Sequence, residues 1–200
     1  MVATGIEDAR SQSYKLTRED ICDLNRIAMT GVEDDAGRFR RYEVIVDDDA
    51  DESNVYEPPP WKDVPHLIDE MCEYVNVNWA MTPVHLAAYL LWRLNWIHAF
   101  GEGNGRTARA VSYVVFCIKN GFKIPGIKTL PERIAEDRSD YYDALAAADE
   151  GNLEPMETLV GDLLTAELAD FLDKAHNPTR QTKKVRRKPI ARKRKKRRGE

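Results

Sequence analysis

Apolar positions recur every three to four residues along most of this chain, and that helical period lapses in one stretch. Ile21, Leu24, Ile27 and Ala28 form the first stripe, and Thr17-Arg18-Glu19-Asp20 ahead of it reads as a helix start with acids in the first turn. Residues 31–37, bounded by two glycines, read as loop. Phe39, Val44, Ile45 and Val46 then run up to an acidic cluster at residues 47–52, and Val55 and Tyr56 follow before three prolines at 58–60. Two β-rich runs about a polar tip predict a small hairpin, ended by prolines that cannot donate to a ladder. The helical period returns at Val64, Leu67, Ile68, Met71, Cys72 and Val75. Thr82-Pro83 opens the next helix as cap and first residue. That helix, through Leu86, Ala87, Tyr89, Leu90, Leu94 and Ile97, is apolar on most faces and is expected at the centre of the molecule. A further apolar helix is expected over residues 104–120, stopped by Asn120-Gly121. Residues 131–148 and 154–174 complete a set of about six helices. Beyond Asn177-Pro178 the pattern vanishes into a polar, basic stretch expected to be disordered in isolation. There is no internal repeat.

Charge sharpens this picture. Twelve of the 30 Lys and Arg residues fall between Lys183 and Arg198, where there is no acid, so residues 1–182 carry 18 basic against 33 acidic groups, a balance of −15. An acidic body with a basic arm is the pattern of an appended interaction segment. No apolar run reaches the roughly 18 residues of a membrane span, and residues 1–20 lack a secretory apolar region. Three widely spaced cysteines (Cys22, Cys72, Cys117) read as reduced thiols of a cytoplasmic protein, and four histidines without a cysteine pair argue against a structural metal cage. Two hundred residues suit one domain with a real core plus a tail.

The densest chemistry lies in the twelve residues 98–109, His-Ala-Phe-Gly-Glu-Gly-Asn-Gly-Arg-Thr-Ala-Arg, pinned between the two most apolar helices. A helix N-terminus carries free N–H groups and about half a positive charge. Gly103 and Gly105 let backbone approach a ligand closely, so the N–H groups from Gly103 through Asn104 and Gly105 to Arg106 are expected to form an anion nest. Arg106 and Arg109, three apart on the first turn, suit bidentate phosphate recognition. Glu102 beside phosphates requires an intervening cation, and magnesium held by one carboxylate, phosphate oxygens and water meets that need. His98 is the one group here that takes a proton near neutral pH. Phe100 is assigned to core packing that anchors the loop.

This run resembles the motif of the Fic (Fido) family, His-Pro-Phe-x-(Asp/Glu)-Gly-Asn-Gly-Arg-x-x-Arg, at every position but one, Ala99 standing where the family has proline. Residues 37–59 resemble the family's flap, and Tyr141-Tyr142-Asp143-Ala144-Leu145 with Glu150-Gly151 resembles its later helix. The likeness covers roughly residues 17–170. It implies an all-α fold, a Fic-type bundle of about six or more helices with a small β-hairpin flap (about 37–57), in a domain at 17–176 between an N-terminal extension (1–16) and the disordered basic tail (177–200).

By the same resemblance the activity is protein adenylyl transfer, AMP passing from ATP to a Ser, Thr or Tyr hydroxyl of a target protein. His98 is then the general base, Glu102 the magnesium ligand, and Gly103, Asn104, Gly105, Arg106 and Arg109 the phosphate site. Tyr142 and Asp149 lie near the nucleoside, and Val44, Ile45 and Val46 on the flap dock the target. Glycine at 105 favours AMP transfer, because a branch that phosphorylates its targets carries a larger residue there. Loss of the proline at 99 frees the loop by less than about 1 kcal/mol. Many relatives restrain the second motif arginine with a glutamate from Ser/Thr-x-x-x-Glu-Gly/Asn. No segment of this sequence fits, since Ser53–Glu57 has the spacing but proline follows, so either a separate antitoxin-like protein supplies the glutamate or the enzyme is unrestrained. The tail admits a solvating arm, nucleic-acid contact through phosphate neutralisation, or a nuclear or secretion address. The rival readings are a nucleic-acid or partner-binding protein on a Fic-like body, and a Fic enzyme transferring another phosphate-containing group.

Overall fold

The computed structural model describes residues 2–10, 13–48, 51–123 and 128–176, and the basic tail lies outside them. Among these residues are eight helices: α1 (Val2–Arg10), α2 (Arg18–Met29), α3 (Val64–Val77), α4 (Pro83–Ile97), α5 (Asn104–Asn120), α6 (Leu130–Glu136), α7 (Ser139–Asp149) and α8 (Glu154–His176). One antiparallel pair, β1 (Val46–Asp48) and β2 (Asp51–Tyr56), stands between α2 and α3.

The helix starts follow local chemistry. Thr17 caps α2 in a reciprocal box with Asp20, each accepting the other's backbone N–H at 3.0 and 3.2 Å. Thr82 accepts from the His85 N–H at 3.1 Å with Pro83 first in α4, as the sequence implied. Helix α5 spans the expected residues and stops at Gly121, whose φ of 76° closes the left-handed cap. Thr129 and Glu132 repeat the box at α6.

Helix α4 is central because it is buried on two faces at once. Leu86, Leu90, Leu94 and Ile97 join Ile21, Ile68, Met71, Val75, Phe100, Val111 and Val115 in a core between α2, α3 and α5. Ala87, Ala88 and Leu91 face the other way, into a second core with Phe116, Leu130, Ile134, Tyr141, Met156 and Val160. Each fully buried large aliphatic side chain contributes about 1.5–3 kcal/mol relative to exposure, so the helix that carries His98 is fixed from both sides. Buried Glu167 on α8 ties the second core together, accepting from the Tyr113 hydroxyl and the Leu130 N–H, both at 2.8 Å.

Three expectations change. Residues 1–16, expected as an extension, contain α1, which packs on α5 so closely that a Cβ at Gly5 would collide with the Ile118 side chain. The single helix expected over residues 131–148 is two. Asp137 leaves helical geometry (φ −134°, ψ 121°) and its carboxylate accepts from the Ser139 N–H and hydroxyl at 3.2 and 2.9 Å, a local turn that competes with the helix. The first flap strand starts at Val46, not near Phe39, and runs into the acidic cluster: Val46 pairs with Tyr56 and Asp47 with Val55. Residues 39–43 are withheld from the ladder because Arg40 binds them to the motif loop.

Candidate functional site

His98 is where α4 ends. Its N–H still closes on the Leu94 carbonyl at 3.1 Å, but its backbone turns left-handed (φ 49°, ψ 56°), unlike every other non-glycine residue described. A non-glycine residue held there costs on the order of 1 kcal/mol, and the surroundings supply the restraint. The buried Arg40 donates from Nε to the His98 carbonyl at 2.8 Å, from Nη1 to the Tyr42 carbonyl at 3.1 Å and from Nη2 to the Pro59 carbonyl. Its own N–H donates to the Ala99 carbonyl at 2.9 Å. One guanidinium thus caps the C-terminal end of α4, where a cation is favoured, and ties the flap's two bases to the motif. Burial pushes the His98 imidazole below its ordinary range, with Arg40 adding to that push; the Asn95 carbonyl and Glu102 partly oppose it. The imidazole is therefore neutral at neutral pH, the form that accepts a proton.

The loop that follows is fastened from within. Phe100 is buried with its ring 5.4 Å from that of Phe39, the anchoring role expected of it. The Asn104 side chain is occupied by the same residue: its Oδ1 accepts from the Phe100 N–H at 2.9 Å and its Nδ2 donates to the Phe100 carbonyl at 2.8 Å. Asn104 therefore holds the turn with its side chain and offers a ligand only its backbone N–H.

Gly103, with φ 79°, caps α5 directly over the buried Met29, with whose sulfur a Cβ at this position would collide. The Arg106 Nη1 reaches the same sulfur at 3.1 Å, which sets Arg106 on one flank of the turn. Arg109 takes the other flank. A Cβ at Gly105 would come within 3.2 Å of its Nη1. The Arg109 side chain is buried, which depresses its pKa, and it makes no ion pair among the described residues. A buried cation without a counter-ion is costly, and the first N–H groups of α5 beside it have no intrahelical partner. Both features are relieved by an anion seated against Gly105.

The remaining expected residues form the rim. Glu102 is exposed at the mouth of the turn, and the described residues hold no cluster of three or more His, Cys, Asp or Glu around it. One carboxylate beside an anion nest fits a magnesium ion that takes its other ligands from phosphate and water. On α7, Tyr142 is half-exposed with Arg138 at 3.5 Å from its hydroxyl, while Tyr141 is buried and accepts from Asn95 at 2.7 Å. The Asp149 carboxylate accepts from the Trp92 indole at 2.7 Å. Ile45 is exposed and Val44 and Val46 half-buried, at the foot of the hairpin.

Two further residues belong to this site and were not among those expected. Arg40 is one. Asn25, fully enclosed on α2, is the other: its Nδ2 donates to the Glu102 carbonyl at 3.3 Å and the Thr107 hydroxyl at 3.0 Å, and its Oδ1 accepts from the Gly37 N–H at 2.7 Å. It joins the base of the flap to the motif turn at the start of α5. The only trace of Asn25 in the sequence is a polar residue adjoining Leu24 in the α2 stripe.

The profile of the Fic/DOC family matches residues 15–116, just over half of the chain. Protein adenylyltransferase Fic of Drosophila persimilis is 30% identical over 164 residues, and its counterpart in Drosophila erecta 31%; each alignment takes in 80% of this chain. The chain spans only 30% of the length of those relatives. Among solved structures, Fic-1 of C. elegans superposes with a TM-score of 0.66 at 23% identity, covering 88% of this chain and 51% of that one. A Fic family protein of Desulfovibrio desulfuricans gives 0.65 at 22% identity, with the same shares. Fold, motif and relatives converge, and the chain belongs to the Fic/DOC family.

Proposed function

We propose that the protein is a protein adenylyltransferase that moves AMP from ATP to a hydroxyl of a target protein. The observation that carries this reading is the buried, unpaired Arg109 beside Gly105 at the N-terminus of α5, with a neutral, half-buried His98 just ahead of the same turn. ATP phosphates would lie on the N–H groups of α5 between Arg106 and Arg109, and the nucleoside toward Tyr142 and Asp149. Glu102 would hold magnesium, which when bound offsets the charge of the phosphates next to that carboxylate. A target segment would dock along Val44, Ile45 and Val46 and present its hydroxyl to His98. The hydroxyl oxygen attacks the α-phosphorus in line, its proton passes to the imidazole, and the bond to the bridging oxygen breaks to release pyrophosphate. Catalysis would be positioning and charge stabilisation, as in other phosphoryl transfers. The names of the curated relatives support the reaction class. A glutamate delivered to Arg109 by a separate inhibitory protein would block the anion site, so that arginine's lack of a carboxylate partner among the described residues supports an external restraint.

The test compares α-labelled and γ-labelled ATP in a cell lysate with wild-type protein and His98→Ala. Label passing to protein from the α position only, and lost in His98→Ala, is the expected result. Label from the γ position would replace this reading with a kinase, and absence of both would remove the enzyme.

A further inference from the structure

Helix α4 carries a half-buried stripe, Tyr89, Trp92, Arg93 and Trp96, at the spacing of one helix face; Tyr89 and Trp96 also pack against the first core, whereas Trp92 and Arg93 belong to neither. The Arg93 guanidinium lies 4.2 Å from the centre of the Trp96 ring and 5.6 Å from that of Trp92. The Trp92 ring is itself braced edge-on by Tyr89 at 5.9 Å. The stripe adjoins the flap, since the Tyr56 hydroxyl at the end of β2 donates to the Trp96 carbonyl at 2.6 Å. One acid at this face, Asp149, is bonded to the Trp92 indole, and Arg93 makes no ion pair among the described residues. Residues 1–182 carry a balance of −15, so an unmatched arginine here runs against the general charge of the body.

We propose that Arg93 is a specificity-determining residue that takes a carboxylate of the target segment laid along the flap. The proposal rests on the adenylyl-transfer reading and adds to it the chemistry of the preferred target. Stacking on two indoles orders the guanidinium before binding while leaving its N–H edge free, and that planar edge matches a carboxylate in two parallel hydrogen bonds. The two-stranded sheet has an open edge on each strand, available for main-chain pairing with an extended segment. Polarity along the hairpin sets direction. Its far end carries Asp47, Asp48, Asp51 and Glu52, and its near end, with Tyr56, rests beside Arg93. A segment basic toward the tip and acidic toward the base matches both. Arg93 precedes His98 by five residues, about 7.5 Å along a helix, and an extended chain advances about 3.3 Å per residue. The matching acid therefore falls roughly two to four residues from the modified hydroxyl.

The experiment uses synthetic peptides with one central hydroxyl residue, a single aspartate stepped through the flanking positions, and asparagine in the matched controls. Label transfer from α-labelled ATP and fluorescence-anisotropy binding without ATP are both read. Wild-type protein is expected to favour aspartate over asparagine by about tenfold at one position. Arg93→Gln should erase that preference at unchanged melting temperature, and Arg93→Glu should shift it to a lysine peptide. A flat aspartate scan, or a preference that survives Arg93→Gln, overturns the proposal. If no peptide accepts label, the transfer reading fails while the binding arm still decides on Arg93: acid-dependent binding lost in Arg93→Gln upholds it, and equal or absent binding of the two peptides ends it.

Discussion

His98 has two unusual properties with separate causes, a left-handed backbone imposed by the end of α4 and a depressed pKa imposed by burial. The second has consequences of definite sign. A base of lowered pKa stays unprotonated further into acid, so the acidic limb of kcat/KM should lie below the ordinary imidazole value of about 6.5. The same shift acts on stability. Below about pH 6.5 the unfolded chain binds a proton at this residue that the folded chain refuses, so stability contributed by the neutral form is full above that pH and falls as pH drops toward the folded value. Melting temperatures from about pH 7.5 to 5.5 should therefore fall more steeply in wild type than in His98→Ala. Gly105 gives a second prediction at this scale. Its φ is not in the left-handed region, so alanine is tolerated by the backbone, and what it meets is the mobile end of Arg109 at 3.2 Å. Gly105→Ala should leave the melting temperature within about 2 °C of wild type and weaken ATP binding by tenfold or more, measured by calorimetry. Equal affinity in the two proteins would detach Arg109 from the phosphate site.

Asn25 connects elements far apart in sequence: α2, the carbonyl of Glu102, the first turn of α5 and the base of the flap. Asn25→Leu would leave the Gly37 N–H, the Thr107 hydroxyl and the Glu102 carbonyl without that partner. The expected cost is about 2–4 kcal/mol, read as a lower midpoint of urea unfolding. Asn25→Asp keeps the acceptor for Gly37 but loses the amide donor, so it should fall between wild type and leucine. What could be read from the sequence follows the same division between local and distant. The Thr82-Pro83 start, the Asn120-Gly121 stop and the helix start at Thr17–Asp20 lie within four residues of the backbone groups they satisfy, and all three are legible, although the reciprocal box at Thr17 and Asp20 is seen only in the fold. The break between α6 and α7 was also local but was missed, because Asp137 and Ser139 favour turns without dictating them and the apolar period continues across. The start of β1 was illegible for a different reason: Arg40 withdraws residues 39–43 through bonds to His98, Ala99 and Pro59. Helix α1 gave no stripe, since its contact with α5 depends on the small Gly5 fitting against Ile118. In the motif, types and spacing indicated the chemistry, but the division of labour needed the fold. Asn104 and Arg109, both expected on phosphate, separate into a residue that fastens the loop and a residue without an ion-pair partner among the described residues.

At the scale of the whole molecule, two cores share α4, and charge is divided between a body and a tail. No helix among the described residues is long and apolar enough to cross a membrane. Residues 1–182 balance to −15, whereas the arm from Lys183 to Arg198 bears twelve cations. An acidic body repels nucleic acid, and such an arm neutralises phosphates and releases their counter-ions whatever the base sequence. The arm has no aromatic residue, which removes base stacking as a source of preference. The full chain is therefore expected to bind fluorescent duplex DNA without sequence preference, and to weaken by several orders of magnitude between about 50 and about 200 mM salt if most of the arm engages. Deleting residues 179–200 should abolish the binding while leaving the melting temperature and AMP transfer to peptides unchanged, because the two described cores and the motif are built from residues earlier in the chain. Anisotropy titrations of the two proteins at several salt concentrations measure this. A weak or salt-independent signal in the full chain would return the arm to a solvating role. Binding that persists after deletion would locate a cationic surface on the body, where the Trp-flanked Arg93 and the exposed Arg106 are the first residues to replace.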